Sequence, residues 1–298
     1  MAAVALQRRA FPGFPGGSWV ADVAGPEAAP TVLLLHGGGQ TRHAWGGTAL
    51  ALARAGWRAV ALDLPGHGDS AWLPDGDYRI ETLAREMVRF AAPLGQPLAL
   101  VGASLGGMIS MAMVAREDAP PLTAIALVDI APHVEAVGVD RIVNFMRAHP
   151  DGFATLDEAA QHIAAYRGRP VAASRRGLGK NLRLNAAGRW VWHWDPRLMN
   201  DENRSHRNGP DYFERALAGY KGDLMLIRGA RSDVISDAGA QRFCRRFPNA
   251  QYVNLAGAGH MVAGDANDVF SQTVIDFLAR AMPPAAPARA RHCGDLVL

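Results

Sequence analysis

Short, almost wholly apolar runs recur along this chain with room for one helix between each pair, and that rhythm restricts the fold more than any other feature. They are TVLLL (31–35), RAVAL (58–62), LALVG (98–102) and AIALV (124–128). Between them lie an Ala/Leu-rich stretch near 45–55, a segment from about 78 to 92 in which Leu83, Met87 and Phe90 recur at helical spacing, and a Met-rich segment over 105–117. A strand with one wet face alternates apolar and polar residues, whereas a strand that is apolar throughout is covered on both faces. The pattern therefore predicts an α/β fold: a mostly parallel sheet flanked by helices.

The rhythm stops between about 132 and 220, where no convincing strand is found. That stretch holds helical-looking segments near 139–149, 155–167 and 211–219, with an aromatic run, RWVWHWDP (189–196), among them. Alternation resumes with LMLIR (224–228), a helix over 237–246, a short strand at 250–255 and a helix over 268–280. The simplest organisation is one α/β domain, residues 1–131 and 221–282, interrupted by a mainly helical insertion over 132–220; residues 283–298 read as a disordered tail. Insertions at loops beside a sheet are tolerated and commonly line binding sites.

Chemistry concentrates at the strand ends. Gly102-Ala103-Ser104-Leu105-Gly106 lies between a strand and a helix. A Gly-x-Ser-x-Gly there reads as a sharp, strained turn that presents the serine hydroxyl, with small residues either side because strand and helix approach closely. Ser104 is the candidate nucleophile; an inert serine in a tight turn is the bland alternative. His36-Gly37-Gly38-Gly39 also follows a strand, and its backbone N–H groups are unobstructed by side chains. The N–H groups of Gly38 and Leu105 are the candidate oxyanion donors. A serine needs a base, and the base a carboxylate. Of ten histidines, His260 stands out, ending Gly-Ala-Gly-His (257–260) after a strand, on the sheet edge that presents Ser104. Asp129 and Asp233 compete for the acid. Asp233 is preferred because its loop follows the strand before that of His260; Asp129 sits where the insertion departs.

HGGG (36–39), DLPGHGDS (63–70), GASLGG (102–107), VDIAP (128–132), RGARSD (228–233) and GAGH (257–260) together resemble the α/β-hydrolase superfamily, in its capped group of serine esterases, lactonases, C–C hydrolases and cofactor-free haloperoxidase-like enzymes. The likeness runs over about residues 17–280. It implies the α/β-hydrolase fold with a helical cap over 132–220, Ser104 as nucleophile, Asp233 as acid, His260 as base, and backbone donors at Gly38 and Leu105. Serine at the elbow departs from the haloalkane dehalogenases and epoxide hydrolases, which carry aspartate there. Gln40 and Leu105 break the proline iminopeptidase patterns, and Met261 stands where ring-cleavage C–C hydrolases place tryptophan. The reading is a serine hydrolase for an ester or lactone of a small apolar or aromatic substrate. C–C bond hydrolysis and a non-catalytic ligand receptor are the alternatives.

Trp190, Trp192 and Trp194 recur at period two and are candidates for the pocket, or else anchors of the insertion; Met108, just past the elbow, is a further pocket candidate. Arg141 and Arg147 are available to an anionic substrate but read better as solvent-facing. The net charge of +3 is scattered, without a basic helix or nucleic-acid motif, so no nucleic-acid partner is expected. No run approaches the roughly 20 apolar residues of a membrane span. Cys244 and Cys293 are the two cysteines, too few for a disulfide scaffold. No phosphate-loop, dinucleotide or zinc-hydrolase spacing occurs, so no cofactor or metal is expected. A cytoplasmic monomer or homodimer acting on a small molecule completes the expectation.

Overall fold

The computed structural model describes residues 4–168, 170–171, 177–204, 209–260 and 267–284. The strands, in chain order, are β1 (Gln7–Pro12), β2 (Ser18–Ala24), β3 (Thr31–Leu35), β4 (Arg58–Leu62), β5 (Leu98–Ala103), β6 (Ala124–Val128), β7 (Leu182–Leu184), β8 (Trp190–Trp192), β9 (Asp223–Gly229) and β10 (Gln251–Leu255). The longer helices are α1 (Gly46–Arg54), α2 (Ile80–Ala91), α3 (Leu105–Val114), α4 (Ala136–Arg147), α5 (Leu156–Arg167), α6 (Gly209–Gly219), α7 (Asp237–Arg246) and α8 (Asn267–Ala281). Eight strands form one sheet in the order β1-β2-β4-β3-β5-β6-β9-β10. From β4 to β10 every neighbouring pair is parallel, while β1–β2 and β2–β4 are antiparallel.

Alternate side chains of each central strand enter different cores, as a pleat requires. Leu33, Leu35, Leu62, Leu100 and Leu127 face one side, where they pack with Leu83 and Met87 of α2, Ile109 and Met113 of α3 and Phe243 of α7. Val32, Leu34, Ala61, Val101 and Ala126 face the other, against Ala49 and Leu52 of α1 and Phe270, Val274 and Phe277 of α8. That two-sided burial is why β3, β4 and β6 read as continuous apolar runs. The mostly parallel sheet flanked by helices is the predicted α/β fold. Among the described residues no helix is long and apolar enough to cross a membrane.

Two elements lie outside the sequence expectation. The first is the β1–β2 hairpin: β2 (SWVADVA) is mostly apolar and buried, but β1 and the turn that joins them are rich in arginine, proline and glycine, and β1 is largely exposed at the sheet's edge. Charge and proline on an edge strand discourage a foreign strand from pairing with it, which makes such a strand look like loop. The second is the small β7–β8 hairpin, in which Leu182 pairs with Trp192 and Leu184 with Trp190. Its strands are three residues each, too short to show a period.

Strands β6 and β9 lie side by side, so α4, α5, β7, β8 and α6 all arise from one excursion between adjacent strands. This excursion buries a small cluster of its own around Phe153, Ile163, Leu178 and Leu182. Of its expected helices, those near 139–149, 155–167 and 211–219 correspond to α4, α5 and α6. Most of the tail, including Cys293, lies outside the described residues.

Candidate active site

Ser104 ends the turn from β5 into α3 with φ +47° and ψ −112°, a backbone conformation that L residues seldom adopt. The neighbouring glycines are sterically required. A Cβ on Gly106 would stand 2.2 Å from the Leu35 carbonyl oxygen, and one on Gly102 would stand 2.5 Å from that of Gly106. Ser104 and His260 line the same cavity, of about 420 Å³.

The carboxylate beside His260 belongs to Asp129, not Asp233. Nδ1 of His260 lies 2.7 Å from Oδ2 of Asp129. Asp129 follows β6 directly, has φ +50°, and is fully buried. Its oxygens also accept from Gly229 N–H at 3.0 Å and from the Ser232 hydroxyl at 2.6 Å. Ser232 Oγ accepts in turn from Val234 N–H at 3.1 Å, so the turn after β9 holds the carboxylate rather than supplying one. Asp233 points the other way. It pairs with Arg141 at 2.8 Å, with about a third of its side chain exposed. Ser232, which faces in, and Asp233, which faces out, are consecutive residues, and chain order carries no information about which of them turns inward.

The HGGG loop packs through three buried histidines, its own His36 together with His67 and His193, with ring centroids 5.0 Å apart for His36 and His67 and 6.0 Å for His67 and His193. His67 Nε2 accepts from Gly39 N–H (3.2 Å), and its Nδ1 donates to the Pro65 carbonyl (3.1 Å). His193, from just beyond β8, accepts from Gly68 N–H through Nδ1 (2.8 Å) and donates from Nε2 to the Gly39 carbonyl (3.3 Å). His36 Nε2 accepts from Leu64 N–H (3.0 Å). Each ring thus uses one nitrogen as an acceptor, so all three are neutral. Burial, the dominant cause in each case, depresses all three to a pKa of about 3. Gly39 itself has φ +71°, held by a histidine at its N–H and another at its carbonyl.

That clamping leaves specific amides free. The N–H of Gly37 goes to Gln40 Oε1 (2.9 Å), that of Gly39 to His67, and that of Gly106 to the His36 carbonyl (3.1 Å). The N–H groups of Gly38, which lines the cavity, and Leu105, first residue of α3, have no acceptor among the described residues. A hydroxyl, an imidazole held by a buried carboxylate, and two unpaired amides, one of them at a helix N-terminus, form a set able to deprotonate an alcohol and receive negative charge.

The aromatic run divides. Trp192 and Trp194 stack at 4.6 Å and line the cavity, whereas Trp190 is not among its lining residues and packs near Phe153 instead. Met108 is also absent from the lining and packs against the core under the sheet's helices. Ile142, Phe145 and Met146 of α4 and Ile163 and Tyr166 of α5 take that wall. Their signal was the i, i+3, i+4 spacing of Ile142, Phe145 and Met146 on one helix face. Arg147 pairs with Asp201 and Arg141 with Asp233, so neither is free for a substrate. Among the described residues, His133, Asp211 and Glu214 bring possible metal-ligand atoms within 4.8 Å of one another, but away from the cavity. There Glu214 already pairs with His133 (2.8 Å) and Arg246 (2.7 Å).

A family model described as alpha/beta hydrolase fold matches residues 30–266. An esterase of Mycobacterium tuberculosis is 33% identical over 253 residues, which is 80% of this chain and 79% of that protein. An sn-1-specific diacylglycerol lipase of Mus musculus is 28% identical over 262 residues, 86% of this chain and 83% of its own. The crystal structure of the mycobacterial esterase matches with a TM-score of 0.72 at 26% identity, covering 93% of each chain.

Proposed function

The chain belongs to the α/β-hydrolase fold family, and from that premise we propose that it is a serine hydrolase cleaving a carboxylic ester or lactone through an acyl-enzyme. The observation that carries the reading is the 2.7 Å contact of His260 Nδ1 with the buried carboxylate of Asp129, in the cavity that Ser104 also lines. The esterase and lipase relatives support it.

In the reaction Asp129 accepts from Nδ1, which leaves Nε2 of His260 as the basic nitrogen. His260 takes the Ser104 proton as Oγ bonds to the carbonyl carbon, and the carbonyl oxygen becomes an oxyanion. The N–H groups of Gly38 and Leu105 receive that charge, at donors that need no reorganisation because their neighbours are already fixed. The carbon–oxygen bond to the alcohol breaks, and the alcohol departs with the proton from His260. Water then repeats the sequence: it gives a proton to His260, bonds to the acyl carbon and releases Ser104, which regains its proton. Esters are favoured over amides because an alkoxide leaves more readily than an amine anion.

Phe145, Trp192 and Trp194 make the cavity wall aromatic, which suits an aromatic or apolar acyl group or lactone ring. The excursion between β6 and β9 acts as a cap in this reading. Purified protein and its S104A variant should be compared across p-nitrophenyl esters, lactones and vinylogous diketones. Serine-dependent turnover of esters or lactones is the expected result. Turnover confined to the diketones would assign C–C bond hydrolysis, and a stoichiometric burst without turnover would assign a receptor.

A further inference from the structure

The cavity has a charge that its apolar wall does not explain. Its lining includes Arg167 and Lys180 and, among the described residues, no aspartate or glutamate. Both cations are exposed, and so stand where the cavity meets solvent. Neither has an acidic partner among the described residues, in contrast to Arg141 and Arg147, which are paired. Local sequence offers them none: residues 168–179 contain no acid, and over 167–183 the basic residues Arg167, Arg169, Arg175, Arg176, Lys180 and Arg183 stand without a single carboxylate. Arg183 is the exception in having a described counter-charge, Asp69, at 3.5 Å.

Charge placed this way has a cost unless something answers it, because like charges around one opening repel and a low-dielectric wall intensifies the field. Asn181, beside Lys180, also lines the cavity and adds amide donors at the same end. Ser104 stands at the end of β5, whereas Arg167, at the end of α5, and Lys180 belong to the excursion between β6 and β9, so nucleophile and cations line the cavity from different parts of the chain. We propose that the preferred substrate is an ester or thioester whose outward end carries a carboxylate or phosphate, held by Arg167 and Lys180. This rests on the serine hydrolase reading and adds to it a class of substrate. The shared chemistry is the remote anion, on either the acyl group or the leaving group.

Matched pairs separate the two sources. For the acyl side, mono-p-nitrophenyl glutarate is compared with its neutral methyl ester. For the leaving-group side, butyryl-coenzyme A is compared with butyryl-N-acetylcysteamine. The expected result is a kcat/KM preference of at least tenfold for the anionic member of one pair, carried mainly by KM. That preference should fall towards unity in R167Q/K180Q and in 1 M salt, because it is electrostatic. Equal values within both pairs, or a preference that R167Q/K180Q leaves intact, would overturn the proposal while p-nitrophenyl butyrate turnover kept the hydrolase reading standing. Binding is measured separately by titrating monomethyl glutarate and dimethyl glutarate into S104A and into S104A/R167Q/K180Q. Tighter binding of the anion that the triple variant loses supports the site even if no turnover is found. Equal binding of the two compounds refutes it.

Discussion

Replacing Asp129 with asparagine is the sharpest perturbation available, because the geometry fixes what the amide must do. Asp129 receives three donors: Gly229 N–H, the Ser232 hydroxyl and His260 Nδ1–H. An amide has one acceptor oxygen. If that oxygen keeps Gly229, the NH2 faces His260, and the ring answers by moving its proton to Nε2, which disables it as a base. If the oxygen turns to His260 instead, the NH2 abuts Gly229 N–H, leaving buried donors unpaired at about 1–3 kcal/mol each. The first arrangement wins, and the wrong tautomer costs about 10⁴ in turnover, or about 5.4 kcal/mol of activation free energy. Asp233→Asn removes a surface ion pair with Arg141, worth about 0–1 kcal/mol of stability, and should leave turnover within about threefold. Steady-state hydrolysis of p-nitrophenyl butyrate by D129N, D233N and the double variant, with folding checked by near-UV circular dichroism, decides the matter. A D129N enzyme within tenfold of wild type, or a D233N enzyme that is crippled, would refute the reasoning.

Ser104→Ala should fold and lose up to about 10⁶ of turnover, and a fluorophosphonate should add its mass to Ser104 in the intact protein; adduct on Ser70 or Ser110 would show the wrong hydroxyl was chosen. Gly106→Ala drives a methyl against the Leu35 carbonyl, which backbone cannot yield, so its denaturant midpoint should fall by the equivalent of about 3 kcal/mol or more; an unchanged midpoint would contradict the packing of this elbow. Stability should also fall as pH drops below about 6.5. His36, His67 and His193 stay neutral in the fold down to about pH 3, whereas in the unfolded chain they take up protons near 6.5. Their contribution is complete above pH 6.5 and shrinks by at most about 1.4 kcal/mol per histidine per pH unit on the way to 3. Unfolding free energies at pH 7, 6 and 5 test this; a flat profile, or one whose slope H193Q leaves unchanged, would speak against it.

What could be read directly from the sequence was whatever local sterics or burial impose. β3, β4, β5 and β6 declared themselves because both faces are covered, and Ser104 because its turn tolerates no side chain at Gly102 or Gly106. His260 was legible as the histidine that closes a glycine turn after the last strand. The acid was not. Asp129 and Asp233 both follow strands that reach the same edge, and the difference lies in side-chain direction, set for Asp129 by φ +50° and for Asp233 by the guanidinium of Arg141. Immediate adjacency to the strand end was the available clue, since Asp129 stands one residue past Val128, while Asp233 stands four past Gly229. The pocket wall was hard to read for another reason. Met108 and Phe145 are both apolar residues on helices near the site, and only packing decides that one faces the core and the other the cavity.

The bond between His193 and Gly39 bears on how such a chain can be rebuilt by exchange of parts. Ser104, Asp129 and His260 come from strand ends, while Phe145, Met146, Trp192 and Trp194 come from the excursion between β6 and β9. A division of that kind invites transplantation: a different excursion spliced between the same two strands would offer a new wall to old chemistry. His193 makes the graft conditional. It travels with the excursion yet grips the loop that carries Gly38, sharing Gly39 with His67 from the other side. A donor segment without an equivalent histidine would leave the Gly39 carbonyl and Gly68 N–H unmatched beneath the new wall. Compatible chimeras are therefore those in which the incoming segment brings its own hand for that grip, whatever surface it presents to the substrate.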